Sequence, residues 1–564
     1  MIMRKVFALL ASIAFAGSVN AAEVIVSENI DTSTTWTNDN VYRLTQQIFV
    51  MPGATLTIEP GTVIASETGV GGSLAVARGA RIYVNGTELR PVIMTSTSDV
   101  ETWDPDPAHP AGGDPKTGTW REAVNEWGNL TIMGNGLISA SHFDGSPLEV
   151  TLDDDGEPGG STTTRINTKV PDGMNMKQME GLVADFPGDP KVLYGGANDN
   201  DNSGSISYLS IRYGGRVIGL GNELNGLSLG AVGRETDIHH VEIMNNVDDG
   251  IEIWGGTVQL KYVNIWNVGD DSFDIDQGWR GKAQFGLIVQ GFSTDADQGS
   301  GVGDNCIETD GAEDSDAQPV TTATVYNFTV IGQPVDGDGG TAWRDNARMQ
   351  YRNCIFMDLG EQLVRFDDVD GDGAQGYGFN GTLSWEETWN TSYEHSHNYA
   401  ATVNAISPEP AVDALNHPMV LYQTQFSGNL AEITDSVFYN NNFEDTEDNV
   451  NAYTEAEARG VLADESNNVV AADDASPIQA IERDDLVVRG GKTMARVNFL
   501  NPLPANDALT SVAAAPEDSF FEPAQYRGAF PPNHNWLLNW TAAHAFGLTG
   551  ASSSVDSERW ENLR

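Results

Sequence analysis

Along most of the chain apolar and polar residues alternate in short runs, and Gly, Asn and Asp separate the runs. Period two is the pattern of β-strands, in which every second side chain points to the same face. The runs also recur. GATLTI at 53–58 returns as GARIYV at 79–84, with Leu56 and Ile58 replaced by Ile82 and Val84. VEIMNNVDDGIEI at 241–253 returns without a gap 22 positions later as VNIWNVGDDSFDI at 263–275. Leu227 and Leu229 precede Ile251 and Ile253 by 24 positions, and Leu287 and Val289 follow Val263 and Ile265 by the same interval. A leucine-rich repeat of this length would need a fixed Leu and Asn frame and usually a helix, and neither is present. Short strands stacked about 4.8 Å apart would instead bury the inward residues as a continuous ladder. The pattern predicts an all-β fold, a three-sided parallel β-helix, and the preference for right-handed parallel crossovers predicts its hand.

Longer inserts at 99–125, 143–189, 295–303 and 376–418 interrupt the repeat and are expected as loops. The repeat fades after about residue 450, which predicts a β-helix over 22–450 and an irregular region over 451–564 capping the open end. At the start, Arg4 and Lys5 precede an apolar run from Val6 to Ala16 and the small-x-small triplet Val19-Asn20-Ala21, the pattern of a cleaved signal peptide over 1–21. No segment has the roughly 18 uninterrupted apolar residues of a membrane helix. The expectation is export to the cell exterior, the cell surface or the periplasm, without membrane insertion.

Charge narrows the partners. Eighty-one acidic residues against 30 basic ones give a net charge of −51, which repels nucleic acid and anionic lipid. Cys306 and Cys354, the two cysteines, each sit in an Asn-Cys-Ile triplet, which suits buried core positions as well as a bridge.

The acidic residues fall at matching places in the repeat: Asp248 and Asp249 in one unit, Asp270, Asp271, Asp274 and Asp276 in the next, then Asp304, Glu308 and Asp310. Stacked one turn apart, such carboxylates repel unless protonated or bridged by a cation. Calcium suits them because it takes six to eight oxygens in irregular geometry, whereas zinc would want His and Cys clusters. A second cation motif is Asp368-Val369-Asp370-Gly371-Asp372-Gly373, with the D-x-D-x-D-G spacing of a calcium loop, although Phe379 stands where an EF-hand places its bidentate Glu. The expected cofactor is structural Ca2+, with Asp274, Asp276, Asp304, Glu308, Asp310, Asp368, Asp370 and Asp372 as ligands. Asn198 to Asn202 and Asp153 to Asp155 are acidic runs better suited to solvated loops.

Several segments, among them WGNLTIMGNG, NELNGLSLGAVGRETDIHHVEI, DDGIEIWGG, GDNCIETD and FFEPAQYRGAF, resemble a family of secreted right-handed β-helix proteins common in marine and gliding bacteria. That resemblance covers nearly the whole mature chain and implies fold and export but no established activity. Many of those relatives end in a secretion-sorting domain, a pattern that Trp560 to Arg564 do not continue.

A partial resemblance, to polygalacturonase-like glycoside hydrolases, rests on an Asn-x-Asp turn followed one coil later by Gly-Asp-Asp. It implies Asp248, Asp249, Asp270 and Asp271 as an acid and base set. The family's Gly-His-Gly and Arg-Ile-Lys are missing, with Gln290 to Thr294 in the first place, so the catalytic set is incomplete. Pectate-lyase-like β-helices pair calcium with an Arg or Lys base, for which Arg212, Arg216, Arg280, Arg344 and Arg348 are candidates by location, each also a candidate ion-pair partner.

Trp254 and Trp279 follow the carboxylate strands and are the candidates for stacking on sugar rings, ahead of Trp266 and Trp343. His395 and His397 form an H-x-H pair without a third ligand nearby. The expected function is a secreted, calcium-stabilised β-helix that binds a polysaccharide or other surface polymer. The alternatives are a polysaccharide-cleaving hydrolase, a lyase, or a structural matrix protein.

Overall fold

A computed structural model describes residues 22–106, 112–139, 151–152, 163–164, 176–291, 303–311, 319–366, 389–393, 427–441 and 467–550, less a few single or paired positions within them. Nine short strands, from Gln47–Val50 through Leu227–Gly230, Ile251–Trp254, Phe273–Asp276, Ile307–Asp310 and Thr341–Arg344 to Val364–Phe366, lie side by side in strict chain order. Every neighbouring pair is parallel. Parallel neighbours need a crossover, and a crossover repeated in one direction is a coil. The molecule is a parallel β-helix, and these nine strands form one of its sides.

The larger, 17-stranded sheet carries the other sides. Its long strands turn corners: Asp237–Asn246 passes through left-handed residues at His240 (φ 54°) and Asn245 (φ 60°), and Gln259–Val268 does so at Tyr262 (φ 56°) and Asn267 (φ 54°). Pairing skips the first corner, with His239 facing Lys261 and Val241 facing Val263. Left-handed backbone costs a bulky residue roughly 1–2 kcal/mol. Here the corner side chains stack on one another, with ring centroids 4.2 Å apart for Tyr208–His240, 4.3 Å for His240–Tyr262 and 4.8 Å for Tyr262–Phe285, and such contacts offset about 0.5–1.5 kcal/mol each. The other corner takes asparagine, which tolerates this backbone well, and Asn267 Nδ2 donates to Asn245 Oδ1 at 3.3 Å.

Inside the coil, Ile238, Val241, Ile243, Ile251 and Ile253 join Leu260, Val263, Ile265, Phe273 and Ile275 in one continuous core. The gap-free 22-residue repeat is thus the register of the coil, since Val241 faces Val263 and Ile251 faces Phe273. The next coil differs from expectation by one residue. Gly286 and Ile288, not Leu287 and Val289, face Val263 and Ile265. A one-residue slip reverses the face of every side chain. Alternation misleads here because the outer face is apolar too: Leu287 and Val289 pack with Met244 and Trp266 beneath the C-terminal segment.

The described part of region 451–564 lies along the side of the coil, where Leu500, Phe530, Trp536, Leu537 and Trp540 cover the outer apolar face. From Arg527, whose guanidinium donates to the Asp435 carbonyl, the chain runs back toward the earlier coils. Ala529 N donates to Thr329 Oγ1 at 2.9 Å, the Trp536 ring lies 5.5 Å from Tyr262, and Ala543 N donates to Glu242 Oε1 at 3.0 Å. We call residues 509–550 the strap. Cys306 and Cys354 are both buried and unbridged. Among the described residues no helix is long and apolar enough to cross a membrane.

Candidate functional site

On the outer face of the nine-stranded side, three successive turns lead into three successive strands. Asp248 and Asp249 precede Ile251–Trp254, Asp270 and Asp271 precede Phe273–Asp276, and Asp304 and Asn305 precede Ile307–Asp310. Coil register then stacks like on like, so that Glu252 faces Asp274, which faces Glu308. The turns are locked to one another by backbone amides: Asp271 N donates to Asp249 Oδ1 at 2.9 Å, and Asn305 N to Asp271 Oδ1 at 2.6 Å. Asn225, one coil earlier, donates through Nδ2 to Glu252 Oε2.

The outcome is a file of carboxylates in three linked groups. One oxygen from each of Asp248, Asp249 and Asp270 lies within 4.8 Å of the others, and the same holds for Asp249, Glu252 and Asp274 and for Asp270, Asp271 and Asp304. Asp249 belongs to the first two groups and Asp270 to the first and third. Water reaches little of its inner part, where Asp248 and Asp249 are 8% exposed, Glu252 7% and Asp271 5%, whereas Asp270 and Asp304 are half-buried.

Burial first, and the neighbouring carboxylates second, push the carboxyls of Asp248, Asp249, Glu252, Asp271 and Asp274 well above the usual range. The far end of the file is different. Burial also opposes the charge on Glu308, but Arg344, a hydrogen bond with Asp271 and Arg365 together outweigh it and hold that carboxyl below its ordinary value. Arg344 Nη1 donates to Glu308 Oε1 at 2.9 Å, and its Nε lies 3.7 Å from Asp310 Oδ1. In the register the acids give way to Ala342, Arg344 and Arg365 on the coils that follow.

Compared with known proteins, the chain matches the pectate-lyase-like β-helix domain over residues 15–105 and 188–417, more than half of its length. The chain belongs to that family. No curated protein and no solved structure matches it. Membership in the pectate-lyase-like β-helix family accords with the coil described above and fits a polysaccharide-related role.

Within this pectate-lyase-like coil, the acids named from sequence separate into three sets. Asp248, Asp249, Asp270, Asp271, Asp274 and Asp304 meet in the file, and Glu308 faces Asp274 at its far end. Asp276 and Asp310 flank it on the next outward column, beside Trp254 and Arg344 respectively. Asp368, Asp370 and Asp372 lie outside the described residues, as do Asp153 to Asp155 and the His395 and His397 pair. Glu252 was missed, although it stands 22 positions before Asp274 in a gap-free repeat and that spacing alone would have found it.

The tryptophans named as candidates for sugar stacking are all buried. Trp279 is wholly buried in the main core, where its indole N–H donates to the Val258 carbonyl at 3.0 Å. Trp254 is 5% exposed and packs in a side cluster with Phe49, Ile138 and Tyr194. Trp266 and Trp343 are equally buried. These indoles fill wall and core because a coil this narrow gives a large ring few other places to lose water.

Four of the five candidate arginines are engaged elsewhere or enclosed. Arg280 makes two contacts with Asp199, at 2.5 and 2.8 Å, in a buried pair, so Asn198 to Asn202 is not a solvated loop at that position. Arg212 donates to Ser210 and faces Asp99, Arg216 donates to the Gly71 carbonyl, and Arg348 is fully buried. Arg344 alone of the five stands at the carboxylate file, as an ion-pair partner of Glu308.

Proposed function

We propose that this protein is a secreted β-helix that holds calcium along its carboxylate file and binds a polysaccharide at the cell exterior. One observation carries the calcium reading: buried and half-buried carboxylates converge in three groups, in each of which one oxygen per residue lies within 4.8 Å of the others. Calcium–oxygen bonds of 2.3–2.6 Å put two ligands of one ion at most about 5 Å apart. The donors are all hard oxygens, with no His or Cys among them, as calcium prefers. Family membership supports the polysaccharide. The signal-peptide pattern of the first 21 residues supports export.

A second reading is glycoside hydrolysis by Asp248, Asp249, Asp270 and Asp271. It is favoured by the carboxyl of Asp248, which burial first and Asp270 second raise well above its ordinary value, the direction that suits a general acid. Against it, one oxygen from each of Asp248, Asp249 and Asp270 lies within 4.8 Å of the others, closer than the about 5–5.5 Å or 6.5–9.5 Å at which glycosidase pairs accommodate the scissile bond.

The test is a panel of plant and algal polysaccharides incubated with purified protein, with and without chelator, followed by binding and by release of reducing ends and unsaturated products. The expected outcome is binding without release, weakened by chelation, and a melting temperature that falls when calcium is removed. Release of reducing ends that Asp270→Asn abolishes would replace the binder by the hydrolase. A melting temperature indifferent to chelator would remove the calcium.

A further inference from the structure

Away from the carboxylate file, a half-open pocket of about 510 Å3 lies where the strap meets the coil. Its coil wall is built from outward positions on successive turns, with Asp237 facing Gln259 and His239 facing Lys261. Its other wall is the strap, through Ser519, Phe520 and Glu522. The two walls are tied together: Lys261 Nζ lies 3.0 Å from Glu522 Oε1 and 4.8 Å from the centre of the Phe520 ring, and the Tyr262 hydroxyl donates to Glu522 Oε2 at 3.1 Å. The pocket is therefore shaped before any ligand arrives, which reduces the ordering cost of binding.

Its chemistry departs from the rest of the surface. In a chain of net charge −51, this pocket sets Arg234 and Lys261 against Glu235, Asp237 and Glu522, so the local balance draws neither a strong anion nor a strong cation. Its lining holds both donors and acceptors, with the Gln259 amide supplying both, and the half-buried rings of His239 and Phe520 add apolar surface. A ligand that suits such a lining carries many hydroxyls, each both donor and acceptor, together with C–H faces. Pockets of about 300–1,000 Å3 take ligands of the size of a short oligosaccharide.

The geometry points to a saccharide subsite here, taking a neutral oligosaccharide segment between coil and strap. It goes beyond the carboxylate reading and stands if that reading fails, because no residue of the file lines it. The experiment is titration calorimetry of the full chain with cellohexaose, xylohexaose and mannohexaose in excess chelator, which removes any calcium-bridged contact. At least one hexaose is expected to bind saturably. Affinity should fall roughly tenfold in Phe520→Ala and in Gln259→Ala, from loss of ring contact and of the amide respectively, and should persist in Asp270→Asn. If Phe520→Ala lowers the melting temperature, Gln259→Ala decides. Saturable binding by none of the three sugars, or binding undiminished in Gln259→Ala, overturns the proposal.

Discussion

Arg280 and Asp199 show what a single buried contact can weigh in this molecule. Burial opposes the Asp199 charge, but Arg280, with the Leu137 amide and Arg234 beside it, outweighs burial and holds the carboxyl below its ordinary value. Replacing Arg280 with Leu would leave that carboxylate enclosed without its partner, at an expected cost of about 3–5 kcal/mol. Urea denaturation would measure the loss, and adding Asp199→Asn should recover much of it. Asp199 was legible only as part of an acidic run, because its partner lies 81 residues away and nothing local announces the pair. The file was legible for the opposite reason. Asp248, Asp270 and Asp304 recur at one coil position, so sequence spacing is spatial spacing. For Trp279 the sequence is silent on what lies across the coil, and its position close behind a carboxylate strand says nothing of its depth.

Among elements, the straight strands were the readable part, since alternation and a 22-residue interval fix both face and register. The coil at Lys282–Val289 escaped because both of its faces are apolar, and alternation cannot choose between two buried sides. What makes the outer face apolar is the strap, whose own sequence has no repeat to expose its course. One contact that pins it is Glu242, a wholly buried carboxylate on an outward strand position that accepts from Ser210, Asn264 and the amides of Ala542 and Ala543. Glu242→Gln puts an NH2 where one of those donors needs an acceptor, at an expected cost of about 1–3 kcal/mol. Hydrogen exchange should then quicken at residues 529–549 while the core strands Ile251–Trp254 and Phe273–Asp276 keep their protection.

At the scale of the whole molecule, charge and proton binding are linked. The carboxyls of Asp248, Asp249, Glu252, Asp271 and Asp274 are raised by burial and by one another, so the folded metal-free chain holds protons that the unfolded chain releases. Stability then falls as pH rises from about 4, the ordinary carboxylate range, through the raised folded values. In chelator the melting temperature is expected to decline from pH 5 to pH 8. In excess calcium, which favours the ionised form, the decline should flatten or reverse. A metal-free melting temperature that climbs across this interval would contradict the raised carboxyls.

Coils of a plain solenoid touch only their neighbours, so such a molecule can fray one turn at a time. The strap changes that rule. Arg527, Ala529, Trp536 and Ala543 fasten one continuous segment to turns bearing Asp435, Thr329, Tyr262 and Glu242. Opening any of those turns loosens a segment on which the others depend, which makes the array closer to all-or-none than its repeats alone would be. Synthesis has the same dependence: early turns can stack as they emerge, but those bearing Tyr262 and Glu242 are not sealed until residues 536–543 are there to lie across them.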